Sequence, residues 1–267
     1  NVGIYSSPYL EVFNERIEFD GKYITDEDLE TITDRVCSAA DKMVSEGKES
    51  PTEFEIVTAI AFLYFKEKGA DYVVLEVGLG GRGDSTNIVK EPLCSVVTSV
   101  SLDHTDRLGE TIPQIAMEKA GIIKKGCPVV SGSKDSEARA VLRKTATDMG
   151  APFFDAARIV PKVVKSDMKG SAFSVDVLDR EYKGINISMA GNCQIDNAVT
   201  ALYAIELLRK QNKTDITSRE IREGMKNAKN IGRMEVLSEN PWVIIDGAHN
   251  PDGAKSLKTT IEKNFKG

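Results

Sequence analysis

The spacing of hydrophobic and polar positions divides the chain into strands and helices that largely alternate. Short apolar runs predict buried strands, and longer stretches that begin at a capping residue predict helices. Glu15 to Ile24 alternates around Asp20 and Gly21, which predicts a hairpin. The other predicted strands cover residues 1–5, 71–77, 94–101, 128–130, 152–154 and 242–245. The predicted helices cover residues 25–47, 52–69, 111–123, 135–149, 194–210, 218–229 and 251–265.

A change of period separates two kinds of structure. The strand–helix alternation predicts an α/β fold with a mainly parallel, doubly wound sheet and helices on both faces. Ile159 to Met189 instead has period two, with turns at Lys169-Gly170 and Lys183-Gly184, and predicts a small antiparallel β insert. The last strand and helix predict the start of a second α/β domain. The predicted domains are residues 1–231 and residues 232–267.

Composition excludes several classes of protein. The 267 residues fit one large or two small domains, and 41% hydrophobic and 28% charged residues allow an ordinary core. Because there is no apolar run of membrane-spanning length and no signal peptide, we expect a cytoplasmic protein without a membrane partner. The net charge of -6 argues against nucleic acid, and an anionic substrate would need locally placed cations. The four scattered cysteines predict reduced thiols.

A glycine-rich turn, EVGLGGRGDSTN, follows the predicted strand 71–77. Its glycines match the spacing GxGxxG, but no helix follows, so we reject dinucleotide binding. Glu76 ends the strand, where parallel sheets place ligand chemistry, and a carboxylate suits Mg²⁺. The alternative is a structural ion pair between Glu76 and Arg82.

His104, in SLDH, ends the next predicted strand. We expect the two strands to be neighbours in one sheet, with Glu76 and His104 at the same edge. The alternative is a histidine that only caps the strand end. Together Glu76 and His104 predict a metal site. Imidazole is an unusual Mg²⁺ ligand, so Mn²⁺ is a second candidate.

Three further motifs carry polar residues. Lys119 lies in EKAGIIKKG, where a solvated helical lysine is the ordinary alternative. Asn197 follows GNCQ at a helix start, and Arg233 lies in GRME, where a weak surface ion pair is the alternative. Asp246 and His249 belong to DGAHNP, a strand-to-helix turn, and helix N-termini attract phosphate.

In this order, the motifs resemble those of the folylpolyglutamate and dihydrofolate synthases of the Mur ligase family. The resemblance runs from Ser6 to Gly253. It implies an ATP-dependent, ADP-forming ligase that adds L-glutamate to folate or dihydropteroate through an acyl phosphate. It also implies that Lys119 is carbamylated and acts with His104 in catalysis. The residues expected to contact ATP are Asn197, Arg233, Asp246 and His249.

The resemblance also assigns substrate residues. Ser7, Pro8 and Tyr9 match a substrate loop that usually reads SPHL, so Tyr9 replaces a histidine. Phe54 offers a stacking face to a pterin ring, and Asp84 an acceptor for its N–H donors. Gly83 and Ser85 depart from the family's usual Leu and Ala. The remaining residues implied at the substrate are Thr52, which also begins a capping box, Arg82, which balances charge, and Ser85.

The chain lacks the family's GxxGKGS phosphate-binding loop. We therefore expect a chain truncated at both ends. Residues 1–267 should then show no glutamate ligation and at most weak Mg-ATP binding, while pterin binding survives better. Two other functions stay open: a Mur ligase of peptidoglycan synthesis, and a non-catalytic nucleotide- or folate-binding fragment. We expect a monomer.

Overall fold

The structure, a computed structural model, describes residues 1–265 and divides into two compact units, Asn1–Lys90 and Glu91–Gly267. Residues 266 and 267 of the predicted second domain lie outside the described part. The predicted domain boundary at residue 231 stays a prediction. Within residues 1–265, no helix has the length and apolar character needed to cross a bilayer.

The unit Asn1–Lys90 is built on a four-stranded sheet with the order β3-β2-β1-β4. β1 pairs in parallel with β4 and antiparallel with β2, so an α/β crossover and a hairpin share one sheet. The hairpin turns at Asp20 and Gly21, both with positive φ, as predicted from this dipeptide. The elements are β1 Val2–Tyr5, β2 Ile17–Phe19, β3 Lys22–Tyr23, α1 Asp26–Ser45, α2 Glu53–Lys68 and β4 Tyr72–Leu75.

Helix α2 covers this sheet and supplies much of the unit's core. Thr52 caps its first turn, and Gly69 ends it in the left-handed conformation that a side chain disfavours. Tyr5 and Phe65 are buried in the cluster between sheet and helix. Gly3 allows this close packing, because a Cβ there would lie 2.6 Å from the Phe65 ring.

The unit Glu91–Gly267 begins with a parallel sheet of order β5-β6-β7. Val129 and Val130 on its central strand are fully buried, as the apolar pattern predicts. Together with the pair β1–β4, this sheet confirms the α/β class with parallel strands and helices. The elements are β5 Ser95–Val97, α3 Thr105–Leu108, α4 Ile112–Ala120, β6 Val129–Ser131, α5 Ser136–Asp148 and β7 Phe153–Asp155.

The antiparallel insert is confirmed as a three-stranded sheet of order β10-β9-β8. Its inward side chains, such as Phe173 and Ile185, pack against the apolar face of the helix that follows. The elements are β8 Lys162–Asp167, β9 Gly170–Val177, β10 Arg180–Ile187, α6 Asn192–Lys210 and α7 Ser218–Asn227.

A polar group around the buried Glu206, which we call the Glu206 cluster, joins β10 to α6. Its residues are Arg180, Tyr182, Glu206 and Arg209. The Tyr182 hydroxyl donates to Glu206. Arg209 Nη1 lies 2.8 Å and Arg180 Nε 3.3 Å from the same carboxylate. Burial, followed by the bond to Glu206, raises the pKa of Tyr182 to about 12.

The chain ends in a hairpin and a helix, β11 Glu235–Glu239, β12 Trp242–Ile245 and α8 Pro251–Asn264. Strand β11 was not predicted. Its sequence, EVLSE, contains two glutamates and a serine, and its side chains are half-buried or exposed. Pairing with the apolar strand β12, rather than its own propensity, makes it a strand.

The predicted adjacency of β4 and β5 is wrong. In residues 1–265, β4 pairs only with β1 and β5 pairs only with β6, so each is an edge strand of a different sheet. Val74 and Val96 on these strands remain exposed. An apolar run predicts a strand but does not determine its neighbour, because only about two-thirds of successive strands lie side by side.

Candidate functional site

In the unit Asn1–Lys90, Glu76 lies just beyond the end of β4. Its side chain is exposed, and Oε2 accepts a hydrogen bond of 2.9 Å from the backbone N–H of Ser7. Because β1 and β4 are parallel neighbours, the loop after β1 and the loop after β4 begin at one sheet edge. The Glu76 carboxylate therefore holds the predicted substrate loop.

Asp84 organises the glycine-rich turn. One carboxylate oxygen accepts the Leu79 N–H at 2.9 Å, and the other accepts the Thr86 N–H at 2.9 Å and its hydroxyl. Asp84 thereby caps the short 3-10 helix Ser85–Ile88. Arg82 is exposed, and its carbonyl accepts a bond from Asn87. A ligand that bonds to Asp84 must use the acceptor capacity that these three donors leave.

Thr52 and Phe54 open helix α2. The Thr52 hydroxyl accepts the Glu55 N–H, and the Glu55 carboxylate accepts the Thr52 N–H at 2.7 Å, which is the predicted capping box. The Phe54 ring lies against the backbone of Gly78, where a Cβ would come within 2.5 Å of it. An aromatic face and the glycine-rich turn are thus in direct contact.

The loop after β1 contains Ser7, Pro8 and Tyr9. Pro8 and Tyr9 are exposed. The Tyr9 ring packs edge-on against Phe13, with centroids 5.7 Å apart. The Arg16 guanidinium lies over both rings, 5.3 Å from Tyr9 and 5.5 Å from Phe13. The sequence did not single out Arg16, although it lies only seven positions after Tyr9.

In the unit Glu91–Gly267, a polar group forms around Asp103; its residues are Asp103, His104, His249 and Asn250, and we call it the Asp103 cluster. His249 Nε2 lies 3.5 Å and His104 Nε2 3.9 Å from the carboxylate, and Asn250 Nδ2 donates to it at 3.0 Å. One ligand atom from each of Asp103, His104 and His249 lies within 4.8 Å of the others. These three side chains could hold a metal ion.

Asp103 is held ionised at this position. Burial opposes ionisation, but the Asn250 hydrogen bond and the neighbouring imidazoles outweigh it and keep the pKa of Asp103 below its usual value. His104 has a left-handed backbone, φ 46°, and begins the short helix α3. A non-glycine residue in this conformation is uncommon and marks a site fixed by its surroundings.

Lys119 lies in the last turn of α4 and is half-buried. Burial lowers its pKa, and the nearby Asp103 carboxylate opposes that change. Lys119 is therefore only partly exposed, and its role stays a prediction. A lysine with a lowered pKa has a larger neutral, nucleophilic fraction.

The turn Asp246–Asn250 is fixed by its own polar residues. The Asp246 carboxylate accepts the N–H groups of Met234 and Ala248, at 2.8 and 2.9 Å. Arg233 lies against Gly247, where a Cβ would be 3.2 Å from Nη1. Asp246 therefore joins the segment before β11 to the turn that presents His249.

A cavity of about 760 Å³ lies between the ends of β5 and β6 and the first turns of α5, α6 and α8. Asn197 is among its lining residues, together with Lys134, Cys193 and Lys255. The first turns of three helices reach this cavity, and their N–H groups favour anions. The volume is within the range of ligand-binding pockets.

The structure thus gathers the predicted residues into several groups. Within Asn1–Lys90 it joins Ser7 to Glu76 and brings Phe54 to the glycine-rich turn. Within Glu91–Gly267 it brings His249 to His104, which no local pattern predicts across 145 positions. Asp103 and Asn250 were missed as site residues, although both stand beside a predicted histidine in the sequence.

Comparison with known proteins identifies the origin of these motifs. A family model described as the Mur ligase middle domain matches residues 23–205. A dihydrofolate synthase/folylpolyglutamate synthase of Bacillus subtilis is 41% identical over 99% of the chain. A folylpolyglutamate synthase of Lacticaseibacillus casei is 37% identical over 99% of the chain. The chain spans 62% of the length of each of these relatives.

Solved structures agree. A folylpolyglutamate synthase from Thermotoga maritima matches 99% of this chain and 60% of its own, with a TM-score of 0.88 and 39% identity. A structure described as an FPGS–AMPPCP–folate complex matches all of this chain and 65% of its own, with a TM-score of 0.93 and 36% identity.

Proposed function

The chain belongs to the Mur ligase family, and we propose that its protein is an ATP-dependent ligase that joins L-glutamate to folate or dihydropteroate. In the proposed reaction, a substrate carboxylate attacks the γ-phosphate of ATP and gives an acyl phosphate and ADP. The glutamate amine then displaces phosphate and forms the amide. Positioning and electrostatic stabilisation dominate such phosphoryl transfers.

The observation that carries this proposal is the fit of the whole chain to the FPGS–AMPPCP–folate complex, at a TM-score of 0.93 and 36% identity. That protein holds an ATP analogue and folate together. The local chemistry supports the proposal, because the same chain carries an aromatic face, a group of side chains that could ligate a metal and a half-buried lysine.

The donor set fits a divalent cation. We propose that Glu76 and His104 are metal ligands, as the sequence suggested; within Glu91–Gly267, Asp103 offers an oxygen donor beside His104. Two carboxylates suit Mg²⁺, and the imidazole also suits Mn²⁺. When bound, the cation would neutralise charge on the transferred phosphate. The hydrogen bond from the Ser7 N–H to Glu76 then orients both the Glu76 carboxylate, a proposed ligand of the cation, and the substrate loop.

Lys119 is the residue that we propose is carbamylated. A carbamate forms on a neutral amine, and burial lowers the pKa of Lys119 in the required direction. The modification replaces a cation beside Asp103 by an anion. With His104 it would order the reacting groups, so these two residues are the proposed catalytic pair.

The remaining residues divide between the two substrates. Asn197, Arg233, Asp246 and His249 are proposed to contact ATP, which suits the cavity beside Asn197 and the α8 turn. Thr52, Phe54, Asp84 and Ser85 are proposed to receive the pterin, and Ser7, Pro8, Tyr9 and Arg82 the rest of the acceptor. Asp246 acts partly through the turn that it closes.

The test is a ligation assay on the protein as its gene encodes it. With Mg-ATP, dihydropteroate or a reduced folate, and L-glutamate, steady-state release of ADP should require both other substrates, with one ADP for each glutamate added. Mass spectrometry of the product would show the added residue. No glutamate addition to either acceptor would reject the proposal.

Two alternatives are separated by the same assay. A peptidoglycan ligase would add an amino acid to a nucleotide-linked sugar substrate and not to a pterin. A non-catalytic fragment would bind folate or nucleotide without forming ADP, as the sequence led us to expect for residues 1–267 alone. A monomeric state and a cytoplasmic location complete the proposal.

A further inference from the structure

The neighbours of Arg16 leave one of its N–H donors without a hydrogen-bond acceptor. Its guanidinium lies over the rings of Tyr9 and Phe13, at 5.3 and 5.5 Å. Its Nε atom is buried and has no hydrogen-bond partner. A buried donor without an acceptor is unfavourable and uncommon in folded proteins, so an acceptor is expected from outside the described chain.

The nearest carboxylate in the sequence does not meet this need. Glu15 accepts the backbone N–H groups of Leu10, Glu11 and Val12, at 2.8 to 3.0 Å. The bond from Leu10, followed by that from Val12, lowers the pKa of Glu15. Glu15 is therefore used to close the loop, and within residues 1–265 the Nε atom of Arg16 has no hydrogen-bond partner.

The position of Arg16 connects the two ends of the proposed acceptor site. Tyr5 packs against Phe54, with centroids 6.0 Å apart. Burial raises the pKa of Tyr5. A hydrogen bond to Thr58, and the charge and a hydrogen bond of Arg16, oppose that rise, whereas the Asp84 carboxylate adds to it. Tyr9, which Arg16 contacts, lies two residues after Ser7 and its bond to Glu76. Arg16 thus lies beside both the pterin residues and the substrate loop.

We propose that Arg16 binds a carboxylate of the acceptor substrate, a proposal that rests on the ligase function above. A guanidinium matches the two oxygens of a carboxylate with parallel N–H donors, and stacking on aromatic faces fixes its plane. The chain's net charge of -6 opposes an anionic ligand, so a placed cation is needed. Glu15 holds the loop in place through the hydrogen bonds that it accepts, and Arg16 binds the carboxylate of the ligand.

The test compares two ligands that differ only in charge, pteroate and its carboxamide. Their affinities for residues 1–267 are measured by calorimetry in EDTA, so that no metal ion contributes. The variants are Arg16→Met, which keeps length without charge, and Arg16→Lys, which keeps charge without the planar fork. Arg35→Met is the control, since Arg35 lies in the same unit and pairs with Glu67 on the surface.

We expect the unchanged chain and the Arg35→Met variant to prefer the acid by roughly 10- to 100-fold, the range of a charge-assisted hydrogen bond. Arg16→Met should reduce that ratio to about one without weakening amide binding, and Arg16→Lys should retain part of it.

A preserved ratio in a folded Arg16→Met variant would overturn this inference but leave the proposed ligase function standing. If that variant is unfolded by circular dichroism, a full acid preference in Arg16→Lys would overturn the bidentate contact. Binding of neither ligand to the unchanged chain would reject the proposed substrate class and this inference with it.

Discussion

The Glu206 cluster and the Asp103 cluster each surround one carboxylate within the same compact unit, but they differ in how exposed their side chains are. Glu206 is 4% exposed, and its two oxygens are shared among Tyr182, Arg209 and Arg180. Around Asp103, the imidazoles of His104 and His249 are 53% and 61% exposed and lie 3.9 and 3.5 Å from the carboxylate. The Glu206 carboxylate is bonded by three donors of its own chain, whereas the Asp103 cluster leaves both imidazole rings more than half exposed.

The difference shows that charged side chains stabilise the fold in one cluster and are placed for ligand binding in the other. A buried carboxylate must be fully paired, because desolvation is costly. A site that exchanges ligands must instead keep its donors near one another without satisfying them. The left-handed His104 and the Asp246 turn supply that placement from the backbone.

The largest effect should come from breaking the closed cluster. Glu206→Ala leaves Arg180 and Arg209 without their buried partner and should lower the free energy of unfolding by about 3 to 5 kcal/mol. Urea denaturation would measure it. Glu181→Ala is the control, since the exposed Glu181–Lys183 pair should contribute about 0 to 1 kcal/mol. Equal losses of unfolding free energy in the two variants would show that the Glu206 cluster stabilises the fold no more than an exposed ion pair does.

Lys119→Ala should act on chemistry rather than on stability. In the protein as its gene encodes it, we expect kcat to fall about 100-fold with little change in the KM for ATP, because a supporting group for metal and substrate is lost. Added short carboxylic acids should restore part of the rate. Lys125→Ala, on an exposed neighbour, is the control. A near-normal kcat in Lys119→Ala would assign the lysine a structural role.

Asp103→Asn should have a smaller, more local effect. The side chain keeps its shape but loses the charge that faces both histidines, so we expect Mn²⁺ affinity to fall about 10-fold. Calorimetry with Mn²⁺ measures this. Asp106→Asn, three residues away and 79% exposed, should not change the affinity. Equal affinities in wild type and Asp103→Asn would remove Asp103 from the metal site.

Local patterns predicted the local structure well. Helix α2 was predicted because Thr52 with Glu55 and then Gly69 mark its two ends, and the insert because its period is two. The pattern failed at β11, whose polar residues become a strand only through pairing with β12. The predicted adjacency of β4 and β5 failed because strand order is a tertiary property.

The site residues divide in the same way, into those that local motifs predict and those that only the folded chain brings together. Glu76 and His249 were singled out from the motifs in which they stand, and Lys119 from the family resemblance. The bond from Asn250 to Asp103 was not, because it joins residues 147 positions apart. Arg16 was missed for another reason: its environment of two aromatic rings and an unpartnered Nε exists only in the folded loop.

The most direct test of the contrast uses the fact that the chain has only two histidines. Proton–carbon NMR of the imidazoles should give two sets of signals, from His104 and His249, and paramagnetic Mn²⁺ bound at the Asp103 cluster should broaden both. The ring signals of Tyr182, in the closed cluster, should stay sharp at the same Mn²⁺ concentration. Imidazole signals that remain as sharp as those of Tyr182 would contradict the claim that the open cluster is the metal-binding part of the site.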